Sequence, residues 1–433
     1  MNDHHNEHLN SDHHIVLGEK DVWGRKQPFG LSAVDRRQHC YVVGKTGVGK
    51  STLLRNMILQ DIAAGAGVGV IDPHGDLATD LLEHIPARRI REVVYFNPGD
   101  LKFPVAFNLL KETPLDQRHL VADGIVSAFK SIWKDSWGPR LAHILYATVA
   151  ALLECSNVSL LGVPRMLSDA DYRRWVVSQV NDPLLRHFWN IEFAGYDKRF
   201  LGEMISPVLN KAGALLLSTP LRNVLGQVRS TIDIPFVMNN RRIFIANLAK
   251  GAIGEEKANL LGAVLVTQFQ QAAMQRAKMP ESERKDFFLF IDEFHNFSTD
   301  SFATILAETR KQRLALTISN QHIEQLSDSI RAAVFGNVGS IVSFRVGERD
   351  GEILSRELDG YAAATLASLG NYEVCAKLLN DGSQGESFLG RTLPPTGKRY
   401  GRGEQIVRYC RERYATPRTQ VEQRISRWLG IPE

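Results

Sequence analysis

The residues best equipped for chemistry are Gly44-Lys45-Thr46-Gly47-Val48-Gly49-Lys50-Ser51, with Thr52 directly after them. Glycines at 44, 47 and 49 let the backbone curl so that successive N–H groups point inward, the arrangement that cradles the β- and γ-phosphates of a nucleoside triphosphate. Lys50 adds a full positive charge, and Ser51 a hydroxyl for Mg²⁺. A second set is Phe287-Phe288-Leu289-Phe290-Ile291-Asp292-Glu293, an apolar run ending in two acids. Asp292 is suited to holding Mg²⁺ through its water shell, and Glu293 to orienting and deprotonating an attacking water. The pair predicts hydrolysis rather than passive nucleotide binding. One helix farther on comes Arg310-Lys311, and the next apolar run closes with Ser319-Asn320-Gln321. Gln321 could sense a γ-phosphate from a neighbouring strand tip. Arg310 is either a surface ion-pair partner or, in a head-to-tail ring, a cation that reaches the neighbour's site and offsets transition-state charge.

These groups need strands and helices to position them. Cys40-Tyr41-Val42-Val43 is apolar and β-prone, and Thr52 to Leu59 has helical spacing of its apolar residues, which gives the strand, glycine loop and helix that the motif requires. Short β-prone runs recur at Val68 to Ile71, Val93 to Phe96, Ile243 to Ala246, Phe287 to Ile291, Leu314 to Ile318 and Ser340 to Phe344. They lack polar alternation, as strands covered on both faces do. The expected fold is α/β: a mostly parallel sheet with helices on both faces. From Leu115 to about Gln227 the periodicity is helical, with Pro139, Pro164, Pro183 and Pro207 where helices could begin. Tyr372 to Pro395 alternates like a β-hairpin. The expected boundaries are a His-rich disordered tail over 1–14, a core over 15–110 and 236–395, an inserted all-helical domain over 111–235, and a basic C-terminal tail over 396–433.

At 433 residues, with 44% hydrophobic and 23% charged residues, the chain has the composition of an ordinary globular protein. The best candidate for a membrane span, His143 to Cys155, is too short and carries His143 and Glu154. Nothing at the N-terminus reads as a signal peptide, so a cytoplasmic location is expected. Cys40, Cys155, Cys375 and Cys410 are too scattered for zinc or disulfides and read as reduced, mostly buried thiols. The net charge of +4 hides a basic end: Arg391, Lys398, Arg399, Arg402, Arg408, Arg411, Arg413, Arg418, Arg424 and Arg427, against Glu404, Glu412, Glu422 and Glu433. This is either a polyanion-binding tail or the solvated face of a short helix through Val421, Ile425, Trp428 and Leu429. His4, His5, His8, His13 and His14 mark a polar start.

Taken together, Gly44 to Ser51, Val70-Ile71-Asp72-Pro73-His74-Gly75-Asp76, Phe290-Ile291-Asp292-Glu293-Phe294, Glu308-Thr309-Arg310-Lys311 and Asn320-Gln321 resemble the HerA/FtsK superfamily of ring translocases. Within it the chain most resembles the soluble motor part of conjugative coupling proteins of the TraD/TraG type, over about Ile15 to Trp428. The resemblance implies a RecA-like P-loop core with an inserted all-α domain, ATP and Mg²⁺ as cofactors, and a ring of six subunits acting on DNA. It assigns phosphate binding to Lys50, metal coordination to Ser51 and Asp292, water activation to Glu293, γ-phosphate sensing to Gln321 and a trans-acting finger to Arg310. Arg345, in Phe344-Arg345-Val346-Gly347, is a second candidate arginine near a subunit boundary. Asp72 either shapes the strand tip beside the phosphate loop or caps a turn set by Pro73 and Gly75. Coupling proteins usually begin with transmembrane helices, and this chain shows none.

The expectation is therefore an ATP-hydrolysing ring motor that moves DNA through its pore, a cytoplasmic protein peripheral at the inner membrane through a partner, with a relaxase or a type IV secretion channel component among its expected partners. The alternatives are a secretion ATPase or docking platform for protein substrates, and a nucleotide-gated scaffold that recruits an effector.

Overall fold

The computed structural model describes residues 13–430 except Glu112, Asp300 and Ser301. The chain forms two compact units. The first comprises the described residues up to Tyr95, with 234–247 and 268–407. Its strands are β1 (His14–Val22), β2 (Arg25–Ser32), β3 (Cys40–Val43), β4 (Gly67–Asp72), β5 (Val93–Phe96), β6 (Ile243–Asn247), β7 (Phe287–Ile291), β8 (Leu314–Asn320), β9 (Ser340–Ser343), β10 (Glu373–Lys377), β11 (Leu379–Asn380), β12 (Ser383–Gln384) and β13 (Phe388–Thr392). All but β11 and β12 join one sheet, in the order β2-β1-β13-β10-β9-β3-β8-β7-β4-β6-β5.

The pairings from β9 through β3, β8, β7 and β4 to β6 are all parallel. Every residue of these six strands is buried, which explains why their sequences lack polar alternation. The registers Val43↔Asn320, Val43↔Ser343, Ile291↔Ile318 and Ile71↔Ile291 align the strand ends. The residues that follow those ends therefore meet on one edge, where α/β sheets bind ligands. From β9 onward the sheet turns antiparallel through β10, β13, β1 and β2. The hairpin expected within Tyr372 to Pro395 is β10 and β13.

Two features of this unit depart from the sequence reading. Residues up to Asp12 of the tail expected over 1–14 lie outside the described residues, but His14 opens β1 and His13 Nε2 lies 3.0 Å from Asp61 Oδ1. Residues 396–407 of the supposed basic tail belong to this unit: Asn56 Oδ1 accepts from the Thr396 backbone N–H at 2.9 Å, and Ile406 is buried.

The second unit comprises 96–233, 248–267 and the described residues from Arg408. It is helical, with Arg118–Ile132, Pro139–Leu152 and Lys198–Leu216 among its longer members. Pro139 and Pro183 open helices where their missing N–H costs nothing. Pro207 instead lies inside Lys198–Leu216, a helix carried through it by the burial of Met204, Val208, Ala212 and Leu215. The rest of the basic C-terminus folds here as Arg418–Leu429 and the end of Gly403–Tyr414, with Val421 and Ile425 buried and Arg411 paired to Asp100 at 2.6 Å. The four cysteines are free and buried. Among the described residues, no single helix is long and apolar enough to cross a membrane.

Candidate nucleotide-hydrolysis site

The loop after β3 adopts the shape its glycines allow. Gly47 has φ 78° and Gly49 φ 118°, left-handed values that strain other residues. A Cβ on Gly49 would also come within 2.8 Å of the Tyr372 ring. Neighbouring segments hold the loop by its backbone: Lys45 N–H donates to Arg345 O at 2.9 Å, and Tyr372 N–H to Val48 O at 2.8 Å. Helix Lys50–Ala63 then starts without an acid in its first turn, leaving its positive end available to an anion. Lys50 is buried and its ammonium donates to Gly44 O and, at 3.1 Å, to Lys45 O. Burial lowers the Lys50 pKa, against the opposing pull of Glu293 and Asp292. Ser51 is exposed at the helix start and Thr52 half-buried behind it.

Asp292 and Glu293 leave β7 on the same edge. Asp292 Oδ1 accepts from Ser319 Oγ at 2.5 Å and from the Glu293 N–H at 3.0 Å. Glu293 has φ 47°, an uncommon conformation for this residue that turns the chain back at the strand tip. Its carboxylate is buried: Oε1 accepts from Gln321 Nε2 at 2.9 Å, and Oε2 lies 3.5 Å from His295 Nδ1. Burial raises its pKa; the Gln321 hydrogen bond, Lys50 and His74 oppose this, and Asp292 adds to it. Gln321 also accepts from Thr46 Oγ1 at 3.0 Å, so one amide links the phosphate loop to the candidate base.

Asp72, the last residue of β4, caps the turn that follows it. Its Oδ1 accepts from the His74 N–H at 2.8 Å and its Oδ2 from the Ala78 N–H at 2.9 Å, fixing the turn into helix Asp76–Glu83. Burial raises its pKa.

The two arginines separate. Arg345 follows β9 on the loop's own edge; its guanidinium donates to Leu369 O at 3.4 Å and Asn371 Oδ1 at 3.3 Å. Arg310 is exposed and lies before β8, at the edge where the parallel strands begin. Its charge acts on His39, which directly precedes β3. A seven-residue strand at about 3.3 Å per residue separates Arg310 from the phosphate loop of its own chain. The structure thus brings together Lys50, Ser51, Asp292, Glu293 and Gln321 and leaves Arg310 apart.

Sequence reasoning missed Ser319, Tyr372, His74 and His295. His74 stood inside a quoted motif and His295 one residue beyond another, but their proximity to Glu293 arises only in the fold. Among the described residues, no three His, Cys, Asp or Glu side chains cluster to hold a metal by themselves. Ser51 and Asp292 suit Mg²⁺, which takes one or two protein oxygens and completes its shell with water and phosphate.

Residues 23–171 match the family described as "Helicase HerA, central domain". No curated protein sequence matches the chain. Among solved structures, the plasmid coupling protein TrwB in complex with ADP and Mg²⁺ is 17% identical, with a TM-score of 0.60 over 89% of this chain and 92% of that one. The bacterial conjugative coupling protein TrwBdeltaN70 in an unbound form is also 17% identical, with a TM-score of 0.59 over 89% and 90%. VirB4 of Thermoanaerobacter pseudethanolicus is 15% identical, with a TM-score of 0.58 over 91% and 98%. At such identities the likeness establishes the fold: an α/β P-loop ATPase fold with helical additions.

Proposed function

We propose that this chain, a P-loop protein with a HerA-type central domain and the fold of conjugative coupling proteins, is an ATP-driven DNA translocase that works as a ring, of six subunits by analogy with its superfamily. The observation that carries the reading is a separation: buried Lys50, Asp292 and Glu293 with half-buried Gln321 on one sheet edge, and an exposed Arg310 on the other. A site built this way has a base and a phosphate sensor but draws its finger from a neighbour, which suits head-to-tail assembly.

Held by Ser51 and Asp292, Mg²⁺ would offset charge on the phosphate oxygens. Lys50 leaves its two loop carbonyls for the β- and γ-phosphates. Glu293 takes the proton of the attacking water as the water oxygen bonds to the γ-phosphorus and the bond to the bridging oxygen breaks. Gln321 holds that carboxylate and contacts the γ-phosphate. Arg310 of the adjacent subunit meets the charge that builds on the leaving oxygens. DNA in the pore would be gripped through its phosphates, with weak sequence preference.

The likeness to VirB4 keeps a second reading, a secretion ATPase acting on protein substrates. Steady-state ATPase measured with and without double- and single-stranded DNA, across a salt series, separates them. The motor reading expects strong DNA stimulation that fades with salt and disappears in Arg310→Ala. A rate indifferent to DNA would transfer the proposal to protein substrates or to a nucleotide-gated scaffold.

A further inference from the structure

The helical unit holds a cavity of about 440 Å³ that nucleotide chemistry does not use. It opens between the turn that follows helix Thr219–Leu225 and the C-terminal helix Arg418–Leu429. Ala106, Val228, Ile425 and Trp428 give it an apolar lining. Gln227, Thr231 and Thr416 add polar groups, and Arg229 from the turn and Arg424 from the helix add charge; both arginines are exposed, and neither guanidinium has a partner among the described residues. The backbone N–H groups of Gln227, Val228 and Arg229 are likewise given to no protein acceptor, whereas that of Thr231, farther along the turn, donates to Ala106 O at 3.1 Å. Among the described residues, no acidic side chain lines the cavity.

We propose that this cavity binds the free C-terminal carboxylate of a partner polypeptide whose last side chain is apolar. Two guanidinium groups and three successive amides, none with a protein acceptor among the described residues, form a donor set that a carboxylate matches, and a row of backbone N–H groups is a recurrent way to capture a chain-terminal carboxylate. The apolar lining takes the side chain beside it. The volume decides against a nucleic acid track. Binding a strand needs a basic groove that follows the backbone over several nucleotides, with bases stacked along it. Here the free cations converge on one bounded pocket, and Arg418 on the same helix is already paired to Glu422 at 2.8 Å. The inference does not depend on the hydrolysis reading.

The test uses the full chain and fluorescein-labelled hexapeptides of glycine and serine ending in leucine, valine or phenylalanine, each made as the free acid and as the amide. Fluorescence anisotropy should show the best free acid binding at least about tenfold tighter than its amide, because charge-assisted hydrogen bonds are lost with the carboxylate. Arg229→Ala combined with Arg424→Ala should abolish that difference. Both side chains are exposed, so basal ATPase should stay within about twofold and certify the fold. Equal binding of acid and amide, or binding of neither, overturns the proposal. So does an oligothymidylate that binds more tightly than every peptide and loses its affinity in the same double variant, which would make the cavity a nucleic acid site.

Discussion

Gln321 Nε2 donates to Glu293 Oε1 at 2.9 Å while its own Oε1 accepts from Thr46 Oγ1 at 3.0 Å, so a single side chain spans the candidate base and the phosphate loop. The amide oxygen and one of its two N–H groups hold those two groups in register, which leaves the second N–H for a phosphate. Glu293 needs that hold, because its other carboxylate oxygen, Oε2, is buried with no hydrogen-bond partner among the described residues. Gln321→Ala should lower kcat for ATP about 10²-fold through misplacement of the base, with KM changed far less. A rise in kcat would show instead that the contact is a brake on the base.

Glu293→Gln should cut turnover about 10²- to 10⁴-fold while a fluorescent ATP analogue still binds, since the phosphate contacts lie on other residues. Normal turnover in that variant would sink the assignment. The wild-type pH profile carries a second signature. Burial holds the Glu293 carboxyl above the ordinary range, and the Gln321 hydrogen bond works against it. A base acts deprotonated, so the acid limb of kcat/KM should lie above that of an exposed glutamate, and in Gln321→Ala it should move higher still.

Arg310→Ala should leave ATP binding intact and remove turnover, because the residue lies on the sheet edge away from its own phosphate loop. Mixing this variant with Glu293→Gln discriminates the two roles. Adjacent subunits of unlike type would combine an intact base with an intact finger at some interfaces, so the mixture should regain activity that neither variant has alone. A mixture as inactive as its components would return Arg310 to the surface.

The parts of the site that could be read from sequence are those whose chemistry is local. Gly44 to Ser51 and Phe287 to Glu293 each state their purpose within eight residues, and uninterrupted apolar runs such as Leu314 to Ile318 mark strands covered on both faces. The link from Thr46 through Gln321 to Glu293 could not be read, because it exists only once β3, β7 and β8 align their ends. The hairpin of β1 and β2 escaped for another reason: its turn is Trp23-Gly24, with Trp23 at φ 54°, where asparagine or aspartate would have announced it. The basic C-terminus looked like a tail because charge dominates its composition, yet Ile406, Cys410, Val421 and Ile425 at helical spacing are what fold it.

Asp61 and Arg36 form a buried pair with both terminal guanidinium nitrogens 2.7 Å from the carboxylate, and the guanidinium lies 3.8 Å over the Phe288 ring. Asp61 is on the helix that begins at Lys50, and Arg36 on the segment that leads into β3. Asp61→Ala would strand a buried cation and should destabilise the protein by about 3 kcal/mol or more in urea unfolding. Replacing both residues by apolar side chains of similar volume should cost less than the single change, since the desolvation of the pair disappears with it.

His39 gives the fold a dependence on pH whose sign follows from its burial. It is 1% exposed, its Nε2 lies 3.0 Å from Leu306 O, and its Nδ1 accepts from the Leu316 N–H at 3.1 Å, which requires the neutral ring. Burial, with the charge of Arg310 adding to it and the Leu306 carbonyl opposing, lowers its pKa from 6.5 to about 4. An unfolded chain takes up this proton near pH 6.5 and the folded one only near pH 4, so stability is full above that window and falls as the pH drops through it. At about 1.4 kcal/mol per unit the loss sums to about 3 kcal/mol, with no further contribution below pH 4. In urea unfolding from pH 7 to pH 4, His39→Gln should show a shallower decline than wild type by that amount. Parallel declines in the two proteins would show that His39 takes its proton in the folded state as readily as in the unfolded one.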